Sequence, residues 1–385
     1  MLFTFYVAKL LRRSLVIYSY FGSNSVFYAP EDSSDMFHRT MLPRLWIFAT
    51  VVGFVVFIVL FELQVMRLEE SKKQLELAVA RIQLRELEHR RLVDNRAPVV
   101  DSREMVVIYN RVPKTGSTSF VGVAYDICKQ NGFHVLHINI TGNMHVLTLA
   151  NQLRFVQNIS HWNSIKPAFY HGHMAFVDFE KFGVSHRPIY INLIRKPLDR
   201  LVSYYYFLRF GDDFRPHLVR RKHGDKMTFD QCVKSRQSDC DPNNMWLQIP
   251  FFCGHSPDCW VPGNKWALAE AKRNLLNKYF LVGVTEELAD FVRVLEVTLP
   301  NFFHGAASHY ETSNKSHLRR TAQKVQPSAE TVAQIQDSPI WRMENELYEY
   351  ALELFHYIKK RTIISKDGGP PERGQQFMYE KIRPK

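Results

Sequence analysis

The sequence predicts an α/β fold: a single domain with a largely parallel central sheet flanked by helices, preceded by a transmembrane helix and a helical stem. Three observations carry that expectation. From about residue 105 onward, short β-rich runs alternate with helical ones, the rhythm of a parallel sheet built through helical crossovers. Leu45 to Phe61, LWIFATVVGFVVFIVLF, is 17 uncharged residues, at the short end of what spans a bilayer as a helix. Residues 62–95 are strongly charged and helical in character, with Leu68, Leu75 and Ile82 seven apart.

The elements follow in order. A buried core helix would show a polar face, and the 45–61 run shows none. Arg39 and Arg44 precede it, while Glu62, Glu69 and Glu70 follow, so the basic flank puts the N-terminus in the cytosol and the bulk of the chain across the membrane. No small-residue cleavage site follows, so the run reads as an uncleaved signal anchor. A short span suits the thinner membranes of the early secretory pathway. The apolar stretch SLVIYSYFGSNSVFYAP in the first 40 residues has no reading of its own, and a start at Met41 would remove it. Lys72 and Glu86 spoil a heptad seam, which makes the charged stretch a stem rather than a coiled coil, and DNRAPVVDSRE reads as a linker. The expected divisions are 1–44 cytosolic, 45–61 anchor, 62–104 stem and linker, and 105–385 globular domain.

Within that domain, MVVIYN (105–110), FHVLHI, PAFYH, PIYINLI and YFLVGV read as strands. STSFVGVAYDICKQNG, ended by Gly132, reads as a helix, as do VLTLANQLRFVQ, PLDRLVSYYYFLRF, WALAEAKRNLLNK and EELADFVRVLEVTL. SPIWRMENELYEYALELFHYIKKR reads as a long final helix. No internal repeat is evident.

Charge and cysteines bound the partners and the compartment. The 385 residues hold 50 Lys and Arg against 38 Asp and Glu, a formal net charge of +12, and 46% are hydrophobic. Such a surplus implies polyanionic company. Residues 1–61 hold only five of the basic and three of the acidic residues, so the surplus belongs to the part beyond the membrane. There a sulfated or carboxylated glycan is the polyanion to expect, and nucleic acid is not. Four of the five cysteines form two close pairs, in CVKSRQSDC and CGHSPDC. Zinc ligation is the rival reading, but spacings of eight and six match no common zinc pattern. Local disulfides Cys232–Cys240 and Cys253–Cys259 are therefore expected, with Cys128 a buried free thiol on a helix. NIT at Asn139 and NIS at Asn158 are glycan acceptor sequons that fit the same compartment, and NKS at Asn314 is a third.

Two stretches carry chemistry. RVPKTGSTSF (111–120) lies between a strand and a helix, where backbone N–H groups and a helix N-terminus converge on a phosphate. Pro113 fixes the entry, Gly116 permits close approach, Lys114 adds charge, and Thr115, Ser117 and Thr118 add hydroxyl donors. It lacks the GxxxxGK[ST] spacing of an ATP or GTP loop and a paired acidic site for magnesium, which a kinase needs. In INLIRKPLDRLVSYY, Arg195 ends a strand and Ser203 lies on the second turn of the next helix, placed to grip a further phosphate together. Two grips at strand ends of one sheet suit a nucleotide with phosphates at both ends.

RVPKTGSTSF and INLIRKPLDRLVSYYYFLRFGDD are similar to the two phosphosulfate-nucleotide motifs of Golgi sulfotransferases. Residues 62–385 resemble the Golgi uronosyl 2-O-sulfotransferase family, the heparan sulfate 2-O-sulfotransferases in particular, nearly end to end, with FYHGH, WLQIPFFCGH and YFLVGVTEELADF among the matches. The resemblance implies a sulfotransferase-type domain in the Golgi lumen, held as a single-pass type II membrane protein. It implies 3′-phosphoadenosine 5′-phosphosulfate (PAPS) as donor, no metal, and a uronic acid of heparan sulfate as acceptor, with iduronate preferred. It implies a homo-oligomer, a trimer. Residue by residue, Lys114, Thr115, Gly116, Ser117 and Thr118 match the 5′-phosphosulfate loop, and Arg195 with Ser203 the 3′-phosphate grip. Ser316, Thr321 and Lys324 match a loop, YETSNKSHLRRTAQK, that closes over the nucleotide. Lys196 departs from the family motif, which has an acid there. Asn314 puts its sequon inside the closing loop, where a glycan would obstruct the donor, so it is expected to stay unmodified.

Sulfuryl transfer to a hydroxyl needs a base, and histidine suits that task near neutral pH. His171 and His173 end the strand PAFYH at the edge where the phosphate motifs gather. The resemblance favours His173 as base and His171 as a substrate-side partner, with Lys114 stabilising charge on the leaving phosphate. It also supports Arg215, Arg220 and Arg319 as acceptor contacts, arginine's planar fork being matched to sulfate and carboxylate, and Arg111, Tyr125 and His137 as further acceptor-side positions. Rival readings are a dermatan or chondroitin uronyl 2-O-sulfotransferase, a membrane-anchored kinase, and a catalytically silent glycosaminoglycan-binding protein on the same scaffold.

Overall fold

A computed structural model describes residues 33–93, 102–140, 142, 144–184, 187–212, 215, 217–313 and 323–363. The chain divides into two compact units, residues 1–73 and 74–385. The first holds most of helix α1, Ser33–Val93. The helical stretch Ala49–Ile82 is long and apolar enough to cross a membrane, and Phe54, Phe57, Leu60 and Phe61 are each more than half exposed. A helix closes its backbone hydrogen bonds within itself, so it is an element that lipid admits, and apolar side chains on every face favour lipid over water. The charged stretch read as a stem is helical through Val93 and continuous with the apolar run.

The second unit is built on five strands: β1 Val106–Asn110, β2 His134–Ile138, β3 Ala168–Gly172, β4 Ile189–Ile194 and β5 Tyr279–Val284. Their order in the sheet is β2-β3-β1-β4-β5, and every neighbouring pair is parallel. Four of them are almost wholly apolar and buried, as a sheet covered on both faces requires. The fifth, β2, is an edge strand and carries exposed His134 and His137. Helices α2 (Ser117–Ile127), α3 (Leu149–His161), α4 (Pro197–Phe210), α7 (Lys265–Asn277) and α8 (Leu288–Thr298) follow their sequence-predicted runs closely. The same holds for the long final helix α12, Pro339–Thr362. Five short helices were not foreseen: α5 Phe229–Lys234, α6 Gln248–Cys253, α9 Pro300–Phe303, α10 Ala306–Thr312 and α11 Ala329–Gln336. On one side of the sheet Tyr109, Phe120, Phe169, Phe291 and Phe303 form an edge-to-face aromatic core.

Both expected disulfides are present, with Cα atoms 6.1 Å apart for Cys232–Cys240 and 5.7 Å apart for Cys253–Cys259. Cys128 is free but departs from its reading: it is half-buried and caps α2 rather than lying inside it. Its Sγ donates to the Tyr125 carbonyl at 3.1 Å, and the side chain packs against the edge of the core.

The topology fixes where a ligand can bind. From β1 the chain crosses towards β2 and β3, and from β4 it crosses the other way to β5, so the direction reverses between β1 and β4. The carboxyl ends of two strands at such a switch point frame an open crevice. The segments that leave them, 111–116 and 195–196, open the two phosphate motifs, which continue onto α2 and α4.

Candidate active site

A cleft of about 820 Å³ opens there. Lys114, Gly116, Ser117, Thr118, Arg195 and Ser203 line it, together with Arg111, His137, His173 and Arg215. The loop after β1 is held in an uncommon shape. Gly116, the residue before α2, has φ +72°, and Lys114 has φ +68° although it carries a side chain. Two left-handed residues this close turn the loop so that the α2 N-terminus faces the cleft, and a non-glycine residue held there stores strain. The fixing bonds are local and long-range. Thr115 Oγ1 donates to the Val112 carbonyl at 2.9 Å, and Thr285, just beyond β5, donates to the carbonyls of Thr115 (2.9 Å) and Ile194 (3.1 Å). Thr115 itself is fully buried, so it shapes the loop.

The two phosphate motifs touch. Arg195 Nη1 donates to the Lys114 carbonyl at 3.2 Å. The Lys114 ammonium sits 4.1 Å from the Phe207 ring centroid, and the Arg220 guanidinium packs on the same ring at 4.2 Å. An aromatic face attracts both cations and holds them beside the cleft. Arg220 is also drawn towards Asp212, 3.6 Å away. Burial pulls the Arg195 guanidinium below its usual pKa, opposed by Asp199 and Glu286. Lys324 is pulled down too, by burial first and then by the Arg195 charge, opposed by Asp199. Lys196 is exposed and is not among the residues that line the cleft, and its backbone N–H donates to Glu286 at 3.1 Å. Ser316, Arg319, Thr321 and the Asn314 sequon lie outside the described residues.

The histidines divide by environment. His173 follows the last residue of β3, and its Nδ1 lies 2.8 Å from the Arg111 carbonyl. A carbonyl only accepts, so Nδ1 carries the hydrogen and Nε2 keeps a lone pair. That lone pair accepts from Arg111, whose Nη2 is 2.8 Å and Nε 3.3 Å away. His171 is buried inside β3. Arg111 Nη1 donates to its Nδ1 at 3.4 Å, and its Nε2 donates to the Tyr125 hydroxyl at 3.1 Å. Burial, the Arg111 charge and His137 together push the His171 imidazole down to about 3, so it is neutral at physiological pH. His137 stacks on His171 with ring centroids 5.0 Å apart, and it is also lowered, by burial, then Arg111 and Arg215. Register explains the row: Tyr109 and His137 both pair with His171 across neighbouring strands.

Several participants had no sequence signature. His145, in an irregular loop, donates through Nδ1 to the His173 carbonyl (3.1 Å) and stacks on Trp260. Asp199, Tyr204, Phe207, Thr285 and Glu286 also line the cleft. Asp199, Tyr204 and Phe207 come from α4, Thr285 and Glu286 from the turn after β5, and only the fold gathers them. Of the two glycan acceptors, Asn158 is exposed on α3, whereas Asn139 lies on the cleft rim.

The model of a sulfotransferase family matches residues 98–351. The chain is 55% identical over 350 residues to heparan sulfate 2-O-sulfotransferase 1 of Homo sapiens, covering 90% of this chain and 98% of that protein, and the Gallus gallus protein matches to the same extent. It is 64% identical over 281 residues to the heparin sulfate O-sulfotransferase of Drosophila melanogaster, covering 73% of this chain and 79% of that one. With a family match over most of its length and relatives this similar, the chain belongs to the sulfotransferase family, in the group that the heparan sulfate 2-O-sulfotransferases represent.

Proposed function

We propose that this protein transfers a sulfuryl group from PAPS to the 2-hydroxyl of a uronic acid, iduronate by preference, in heparan sulfate. The observation that carries the reading is the His173 ring: Nδ1–H is tied to a backbone carbonyl, and Nε2, with its lone pair, lies in the same cleft as both phosphate motifs. The donor supplies the sulfuryl group. The residues present fit it: the two left-handed loop residues and the α2 N-terminus suit its 5′ end, and Arg195 with Ser203, both at the α4 end of the cleft, suits its 3′-phosphate. Lys114 is placed to offset negative charge that develops on the leaving phosphate.

His173 takes the proton of the attacking hydroxyl at Nε2. In the structure Arg111 occupies that atom, so the acceptor must draw Arg111 off. A uronate carries the group to do it, since a carboxylate binds a guanidinium better than a neutral imidazole does. Arg111, His137 and Arg215 then form the acceptor side, with Arg220 and Arg319 as further contacts. His171, buried with both ring nitrogens engaged, serves by holding Arg111 and Tyr125 in place. The same reading places residues 1–44 in the cytosol, 45–61 in the Golgi membrane, 62–104 as stem and 105–385 in the lumen as a homotrimer.

Transfer of labelled sulfate from PAPS to defined heparan and dermatan acceptors tests it. His173→Ala should lower turnover by roughly two to four decades, the range of general base catalysis, with affinity for adenosine 3′,5′-bisphosphate unchanged. Near-normal turnover in that variant would sink the mechanism. Preference for dermatan acceptors would move the substrate to chondroitin-type chains, and nucleotide and glycan binding without transfer would favour a silent binding protein.

A further inference from the structure

Arg195 sits between β4 and α4, where neither ladder nor helix engages its peptide groups. A single side chain does so instead. The Arg195 N–H donates to Gln248 Oε1 at 2.9 Å, and Gln248 Nε2 donates to the Arg195 carbonyl at 2.9 Å. A primary amide is the only neutral side chain with a donor and an acceptor in the geometry of a peptide group, so it pairs as an added piece of strand would. Gln248 is in turn fixed from behind. Its Nε2 also donates to Glu344 Oε2 at 3.2 Å, and the backbone N–H groups of Leu247 and Ile249 donate to Glu344 Oε1 at 2.9 and 3.2 Å. Gln248 and Glu344 are both 0% exposed.

A buried carboxylate is costly unless it is compensated. Burial raises the Glu344 pKa, opposed first by Arg200, whose guanidinium is anchored by Nη2 on the Met245 carbonyl at 2.7 Å. Nothing in that arrangement touches the cleft directly. It links the final helix α12, through α6, to the one arginine that both lines the cleft and bonds the Lys114 carbonyl. For packing alone, an apolar side chain of the same volume would serve α6 at lower desolvation cost. The buried amide and carboxylate therefore point to what they hold.

We propose that Gln248, backed by Glu344, is a positioning residue that sets the Arg195 backbone and so aims its guanidinium at the donor's 3′-phosphate. This rests on the donor reading given above. The expected consequence is selective. Loss of the bracket should weaken ligands that carry a 3′-phosphate and spare those that lack one.

The test uses the full chain and calorimetry with two nucleotides, adenosine 3′,5′-bisphosphate and adenosine 5′-phosphate. Gln248→Met keeps the volume and removes both bonds. It should cut the preference for the bisphosphate by about tenfold, or ~1.4 kcal/mol, with adenosine 5′-phosphate binding unchanged. Arg195→Ala should cut that preference further, and the double variant should lose no more than Arg195→Ala alone, because the glutamine acts through the arginine. Should Gln248→Met fail to fold, Glu344→Gln, which keeps shape and removes the charge, is read the same way. If Arg195→Ala leaves the preference intact, the donor reading itself fails. If Arg195→Ala erases it while Gln248→Met and Glu344→Gln leave it whole, or weaken both nucleotides equally, the positioning role is overturned and the donor reading stands.

Discussion

Arg111 makes one guanidinium serve two histidines at once, with His173 Nε2 at 2.8 Å and His171 Nδ1 at 3.4 Å. That geometry implies a division of labour which kinetics can read. Arg111→Ala uncovers the base but removes the partner of the acceptor carboxylate, so KM for the glycan should rise about tenfold or more while kcat changes less. Arg111→Lys should not restore the wild-type value, because one ammonium cannot reproduce a planar fork. Steady-state assays over a range of acceptor concentration decide it; a kcat loss of several decades at constant KM would put the guanidinium in the chemical step. His171 predicts a pH effect of defined sign. Its folded pKa, about 3, lies below the ordinary histidine value, so between those two limits the unfolded chain binds the extra proton and the folded one does not. Stability should therefore be full above about pH 6.5 and fall progressively as pH drops towards 3. His255, pushed down to about 4 by burial, adds in the same direction. His171→Asn should flatten the fall of Tm between pH 7 and 4.5; an unchanged slope would show that His171 is not kept neutral.

Among the elements, β3 is the one whose sequence is most constrained. Gly172 pairs with Asn110 on one side and Ile138 on the other. A Cβ built on it would lie 2.6 Å from the Ile138 carbonyl oxygen, a backbone atom that cannot swing away. Gly172→Ala must push β2 from β3, at a cost of roughly 1–3 kcal/mol. Because His171 and His173 flank it, activity should fall with stability, and thermal denaturation beside a transfer assay would show whether the two losses travel together. The strands and long helices were legible because their apolar runs end at plain signals: Pro197 opens α4, and a Thr228–Gln231 capping box opens even the short α5. That second signature is present in the sequence, but six residues carry too little periodicity to mark a helix. The disulfide pairs were legible from short spacing alone. Each closes a loop of six or eight residues, worth about 2 kcal/mol by loop entropy. What stayed hidden was long-range: Gln248 against Arg195, Glu344 against Gln248, Thr285 against Thr115. No local pattern announces a contact between residues so far apart in the chain.

For the whole molecule, the positive surplus, the two disulfides, the exposed sequon asparagine on α3 and the long apolar helix all bear on one question, which side of a membrane the catalytic unit faces. Buried disulfides persist where the compartment is oxidising, and a glycan can be added only to an asparagine that the lumenal transferase reaches. The basic residues before the apolar run, Arg39 and Arg44, oppose translocation of the N-terminus. The chain should therefore insert with its first residues in the cytosol and its larger unit in the lumen. Translated into sealed microsomes with an N-terminal epitope, it should lose that epitope to added protease while the remainder, from the apolar helix onward, stays protected. Endoglycosidase treatment should shorten the protected fragment by two glycans, one lost in Asn139→Gln and the other in Asn158→Gln. Asn314→Gln should change nothing. Since Asn139 stands on the cleft rim, its variant should also alter the apparent affinity for long heparan chains more than for short oligosaccharides. A protected epitope with a digested catalytic unit would reverse the topology, and with it the compartment in which the proposed reaction takes place.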